Sequence, residues 1–132
     1  MKIILASKSP RRIALMELAK FDFEIVPSNY EEKLNDGYDI EEKSKELSYN
    51  KAKEVFDNTQ GDRTIIGADT IVVKNNKIFG KPKDISDAIK MLRQLQGGMH
   101  TVYTSIAVLI EYQEKYREYN EVIKTGWFFY SK

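Results

Sequence analysis

Short apolar runs alternate with longer mixed stretches through the first two-thirds of the chain. Residues 3–5 form an apolar run of strand length, and Ser9-Pro10 follows almost at once. Serine suits an N-cap, and proline, which lacks an N–H, suits the first helical position. Ile13, Leu15, Met16, Leu18 and Ala19 then supply an apolar stripe, and residues 21–26 return to an extended pattern. The opening therefore reads as strand–helix–strand, the start of an α/β sheet. Residues 27–38 are rich in turn formers and charge and read as a loop. Residues 39–56 are strongly helical, with Asp39 as cap and with Leu47, Lys51 and Val55 spaced four apart on one face.

A break at 58–62 leads into a second buried strand at 64–73, interrupted by Gly67-Ala68-Asp69-Thr70. Asn75-Asn76 suits a tight turn into a short return strand at 77–79. Asp84 or Ser86 caps a helix running to Gln96, which Gly97-Gly98 stops. Residues 101–112 read as a long strand, 116–123 as its partner, and 125–130 as a further extended piece. No repeat or linker divides the chain, so residues 1–132 are expected to form a single α/β domain.

Composition narrows the chemistry. At 42% hydrophobic and 31% charged residues the chain is globular rather than disordered. Its 21 basic and 20 acidic residues create no general cationic field, so a nucleic-acid partner is not expected and any phosphate must be held by a local cluster. The absence of cysteine removes disulfides, thiolate zinc sites and a thiol nucleophile. The single histidine, His100, excludes a histidine metal cluster and argues against a serine–histidine triad. A metal would then rest on carboxylates and water, which favours Mg²⁺ or Mn²⁺. No run approaches the ~18 apolar residues of a membrane span, and the first five residues are too short for a signal peptide. A cytoplasmic location without a membrane partner is the expectation.

Ser7-Lys8-Ser9-Pro10-Arg11-Arg12 follows a strand and opens a helix. The helix N-terminus offers unpaired N–H groups, Ser7 and Ser9 offer hydroxyls, and Arg11 and Arg12 offer forks suited to phosphate oxygens. The same residues equally fit a plain cap with solvated arginines. Asp69 is a carboxylate inside an otherwise apolar strand, a costly position unless it is paired, coordinated or at a strand end. Gly67 and Ala68 beside it would let a ligand approach the backbone, while the plain alternative is an aspartate at a bulge. Lys51 stands where its helix face calls for an apolar residue, though lysines often snorkel there. Lys81, within Gly80-Lys81-Pro82, could reach inward from its turn, and Glu31-Glu32-Lys33 reads as a solvated loop. Together these groups fit metal-assisted attack of water on a phosphate ester or anhydride.

The motifs S-x-S-P-R-R (7–12), E-E (31–32), K-A (51–52), G-A-D-T (67–70) and G-K-P (80–82), in this order, closely resemble the Maf family. That resemblance implies a nucleoside triphosphate pyrophosphatase, cleaving between the α and β phosphates, from a family first linked to septum formation. It implies an elongated α/β fold with a central mixed sheet and a cleft between two lobes, related to the inosine triphosphatases. By the same resemblance Asp69 accepts the proton of the attacking water, and Ser7, Arg11, Arg12, Lys51 and Lys81 surround the triphosphate. Glu32 joins Asp69 around metal or substrate, and Arg12 and Thr70 take part in base selection. S-P-R-R combined with G-A-D-T is similar to the branch acting on dTTP and UTP.

The resemblance ends near Thr125. Family members continue into a helix and an E-P-x-D-K-A-G-A-Y-x-I-Q-G segment that nothing here matches, and the stretch 126–130 departs from the usual strand. The chain is thus expected to be short of the family's carboxy-terminal part. An exposed sheet edge would favour self-association, for instance as a homodimer. The alternative function is a remnant that binds nucleotide or a protein partner without turnover.

Overall fold

Parallel crossovers build one side of a mixed sheet, and an antiparallel hairpin extends the other. The structure, a computed structural model, describes residues 1–30, 39–75, 77–79 and 84–129, the last three by main chain alone. Strand β1 (Lys2–Leu5) leads through helix α1 (Pro10–Leu18) to the short β2 (Glu24–Ile25). Helix α2 (Ile40–Asp57) carries the chain to β3 (Arg63–Lys74) and the return strand β4 (Lys77–Phe79). Helix α3 (Ile85–Leu95) precedes the long pair β5 (Gly98–Tyr112) and β6 (Lys115–Phe129). The strand order is β2-β1-β3-β5-β6, with β4 beside β3. β1 runs parallel to β2 and β3, whereas the β3–β5 and β5–β6 pairs are antiparallel, so the sheet is mixed, as the family resemblance implies.

Several boundaries differ from the sequence pattern, each for a local reason. Only Glu24–Ile25 of the stretch 21–26 is strand, because β1 offers partners only at Ile4 and Leu5. Gly97 stops α3 at φ 75°, and Gly98 already belongs to β5. Asp84 rather than Ser86 is the cap, its side chain accepting from the Asp87 N–H at 2.8 Å. The two extended pieces expected at 116–123 and 125–130 are one strand as far as Phe129, where the described residues end, paired to β5 throughout that length. Gln113 and Glu114, at φ 51° and 65°, close that hairpin with the twist that two-residue loops favour.

The sheet buries one face against α2. Ala52 and Val55 pack with Ile4, Ala6, Ile65, Ala107 and Leu109. Asp39 caps the helix, accepting from the Glu41 and Glu42 N–H groups, and those two acids complement the dipole of its first turn. The helix sits very close to the sheet at Gly67. A Cβ placed there would lie 2.5 Å from the Ser48 carbonyl oxygen and 2.9 Å from the Ala52 nitrogen. The G-A-D-T stretch therefore neither interrupts the strand, which pairs with β5 without a bulge, nor leaves backbone open at Gly67. That space belongs to α2.

Arg63 closes the other end of α2. Its buried guanidinium donates to the Phe56 carbonyl at 2.7 Å, the Gly61 carbonyl at 2.6 Å, Thr59 Oγ1 at 2.8 Å and Glu111 Oε1 at 3.1 Å. It also stacks 4.0 Å from the Phe56 ring centroid. Helix carbonyls left without partners in a buried place are costly, so Arg63→Ala is expected to destabilise by about 2–4 kcal/mol. By calorimetry this corresponds to a Tm about 8–15 °C lower. An unchanged Tm would mean that the α2 terminus is satisfied in another way.

The other two helices are lightly attached. No residue of α1 is buried, and Leu15 and Leu18 of its expected stripe are largely exposed. On α3, Ile85, Ile89 and Leu92 form an exposed apolar row and Leu95 alone is buried. Among the described residues no helix is long and apolar enough to cross a membrane.

Candidate active site

The site forms where β1 ends and β3 continues. The Ala6 N–H still donates to the Ile66 carbonyl at 2.9 Å, after which the chain leaves the sheet. β4 takes up the same edge of β3 only at Val72. Residues 67–71 of β3 are therefore laddered on the β5 side, while on the other side no described strand pairs with them. This gap lies at the carboxyl end of a parallel strand, where α/β sheets hold ligands.

The turn after β1 is built from its own serines. Buried Ser7 accepts the Ser9 N–H at 3.1 Å on its Oγ. Ser9 Oγ in turn accepts the Arg12 N–H at 3.4 Å, so Ser9 is engaged as the N-cap of α1. Arg12 Nη2 donates to Thr70 Oγ1 across the gap at 3.1 Å. Burial pulls the Arg12 pKa below its usual value, with Asp69 opposing and Arg11 adding to the drop. The guanidinium nonetheless stays charged at neutral pH. Arg11 beside it is exposed.

From the other side, α2 contributes Lys51, whose Nζ donates to Asp69 Oδ1 at 2.7 Å. The two side chains are 26% and 15% exposed, so the pair is sheltered yet reachable. Among the described residues Asp69 Oδ2 has no hydrogen-bond partner. Alternation along β3 sends Asp69 toward α2 and Thr70 toward α1. Both surround the same stretch of strand, whose outer edge carries no strand among the described residues.

Of the residues singled out from sequence, Ser7, Arg12, Lys51, Asp69 and Thr70 thus converge, with Arg11 on the adjoining helical turn. Glu32 and Lys81 lie outside the described residues. The sequence reading missed a polar layer behind the pair. Ser105, opposite Asp69 in register, donates to the Ser44 carbonyl at 2.6 Å. Ser48 Oγ donates to the Lys45 carbonyl at 3.0 Å, which also accepts from Asn120 Nδ2 at 3.0 Å. The available signal was the spacing Ser44, Ser48, Ala52, small residues four apart on the face that meets the sheet.

Among the described residues no group of three or more histidine, cysteine or acidic side chains gathers around a metal position. The arrangement instead offers one carboxylate with an open oxygen, two arginines, a lysine and a helix N-terminus. Such a set can grip a polyphosphate and take a proton from a water molecule.

Comparison with known proteins places this geometry in context. The chain matches the Maf family, described as Maf-like protein, over residues 2–130. It is 46% identical over 108 residues to the dTTP/UTP pyrophosphatase of Thermosipho africanus, covering 82% of this chain and 54% of that protein. The dTTP/UTP pyrophosphatase of Thermoanaerobacter sp. (strain X514) is 46% identical over 116 residues, covering 88% and 60%. That of Ruminiclostridium cellulolyticum is 48% identical over 108 residues, covering 81% and 55%. The chain thus spans little more than half the length of these relatives. In fold it is similar to the crystal structure of a nucleoside-triphosphatase / dITP/XTP pyrophosphatase from Mycobacterium abscessus. The TM-score is 0.52 at 20% identity, with 96% of this chain and 72% of that one covered.

Proposed function

The chain belongs to the Maf family, and from that premise we propose that it hydrolyses dTTP and UTP to the nucleoside monophosphate and pyrophosphate. The observation that carries this reading is the meeting of Lys51–Asp69 with Arg12–Thr70 at the stretch of β3 where no described strand takes up the β1 side. The names of the relatives support the same substrate class.

In this reading the triphosphate lies along the turn of residues 7–12. Arg11 and Arg12 hold its oxygens, with the amides that open α1 beside them. Lys51 fixes the orientation of the Asp69 carboxylate, and the free Oδ2 accepts a proton from water. The water oxygen bonds to the α-phosphorus, the α–β bridging bond breaks, and pyrophosphate leaves with that electron pair. Lys81 and Glu32 are assigned to the phosphates and to the metal or substrate respectively, by motif alone. Thr70, held by Arg12, is assigned to the base by motif alone.

Of the donors a divalent cation would use, the described residues supply the Asp69 carboxylate. Mg²⁺ commonly binds through one or two carboxylates plus substrate phosphates, and Asp69, with Glu32, would supply that protein share. When bound, it would offset phosphate charge as a Lewis acid. The protein is expected to act in the cytoplasm on free nucleotides.

The test is pyrophosphate release from dTTP, UTP, dCTP and GTP with Mg²⁺ or Mn²⁺, beside calorimetric binding of each nucleotide. Release from dTTP and UTP well above the others is the expected result. Tight binding without release would favour a nucleotide-binding protein instead, and neither binding nor release would overturn the assignment.

A further inference from the structure

Helix α2 meets the sheet with two different kinds of surface. Its second half is apolar, with Ala52 and Val55 packed among Ile4, Ile65 and Leu109. Its first half presents Ser44 and Ser48, both fully buried, to Ser105 of β5 and Asn120 of β6. Apolar contact carries no direction and lets a helix slide or turn at little cost. A hydrogen bond to one particular atom does not.

Ser105 makes the shorter of the two ties, its Oγ donating to the Ser44 carbonyl at 2.6 Å. Asn120 Nδ2 reaches the next carbonyl, that of Lys45, at 3.0 Å. Neither carbonyl needs a second donor, since each lies inside the helix and has the N–H four residues on. Alanine would fill this layer without the cost of burying hydroxyls. Ser44 shows that cost, its own Oγ being buried with no hydrogen-bond partner among the described residues. A layer that rescues no orphan group and is costly to bury is accounted for by the position it enforces.

What it positions stands beside it. Ser105 is the β5 partner of Asp69 in register, and both side chains face α2. Lys51 follows Ser44 by seven residues, two turns, so it lies on the same side of the helix about 10 Å along its axis. We propose that Ser105 is a positioning residue for the reaction assigned above, which rests on the roles given there to Lys51 and Asp69. Its bond fixes α2 so that the Lys51 ammonium reaches Asp69 Oδ1 and leaves Oδ2 open. Without that bond the helix turns or slides on its apolar half. The Lys51 stem then follows only through less favoured rotamers and meets Asp69 from another direction. Ser105 is fully buried, so it acts through this pair and not by touching substrate.

The test sets Ser105→Ala beside Leu109→Val, a change of similar size on the same strand and against the same helix. Both are expected to fold, with modestly lowered urea midpoints. At saturating dTTP with Mg²⁺, Ser105→Ala should lower kcat about tenfold or more and leave KM within about twofold. Leu109→Val should leave both within about twofold of the parent. A second measurement needs no turnover. Lys51→Met is expected to lower the urea midpoint of the parent at least about twice as far as that of Ser105→Ala, where the pair it removes is already weakened. If the parent releases no pyrophosphate, the assigned reaction fails and the midpoints alone judge Ser105. Parental kcat in Ser105→Ala, an equal loss in Leu109→Val, or the same Lys51→Met shift in both backgrounds would each overturn the proposal.

Discussion

An Asp69→Asn protein is expected to fold as the parent does and to release pyrophosphate about 10²–10⁴-fold more slowly. Asparagine has the same shape and keeps an oxygen for the Lys51 ammonium, so the contact across α2 and β3 survives. What it loses is the open Oδ2, the acceptor assigned to the proton of the attacking water. Turnover at saturating dTTP with Mg²⁺ reads this directly, with a melting curve as the check on folding. If Asp69 were no more than the ion-pair partner of Lys51, Lys51→Ala and Asp69→Asn would behave alike. Both would then be slightly less stable and nearly as active. Near-parental turnover by Asp69→Asn would sink the assignment.

Gly67→Ala is expected to be strongly disruptive, its new methyl meeting closer contacts than one at Gly61, Gly98 or Gly126. The atoms that the new Cβ would meet are mainly backbone, the Ser48 carbonyl at 2.5 Å and the Ala52 nitrogen at 2.9 Å, so no side chain can rotate out of the way. To restore ordinary separations α2 must move by on the order of 1 Å. The cost is about 3 kcal/mol, at the upper end of overpacking effects, read as a shift in the urea midpoint. Lys51 rides on the same helix, so its reach to Asp69 changes with it. Turnover should fall further than the loss of folded protein explains, since a displacement of this size can cost about 10²-fold in rate. Parental stability in Gly67→Ala would show that the helix yields freely at this point.

These two neighbouring residues show what the sequence disclosed. Asp69 was legible because a carboxylate in a buried strand must have a partner, and Lys51 because it interrupts an apolar helix face. Both anomalies turned out to answer each other. Ser9-Pro10 and Asp39 marked their helix starts correctly, because capping is settled within a single turn. Gly67 was misread, since a glycine tells of close approach without telling what approaches. The arriving group is α2, many residues earlier in the chain, and only tertiary structure decides between a helix and a ligand. The stripe on α1 misled for a related reason: periodicity marks a face fit for burial and does not supply the surface that buries it. The Arg12–Thr70 bond, across 58 positions, left no local trace at all; the family resemblance grouped the two residues in base selection without indicating that they bond.

The stretch of β3 that has β5 on one side and no described strand on the other has one more consequence. Since the Ile66 carbonyl points toward β1, the main-chain groups of Ala68 and Thr70 point the same way, into the gap. A ligand docking there meets peptide N–H and C=O groups in the middle of a sheet strand; no substitution removes the carbonyls, and only proline removes an N–H. Side chains around the gap can therefore change, and preference for one base over another can drift with them, while that part of the grip is inherited unaltered with the fold.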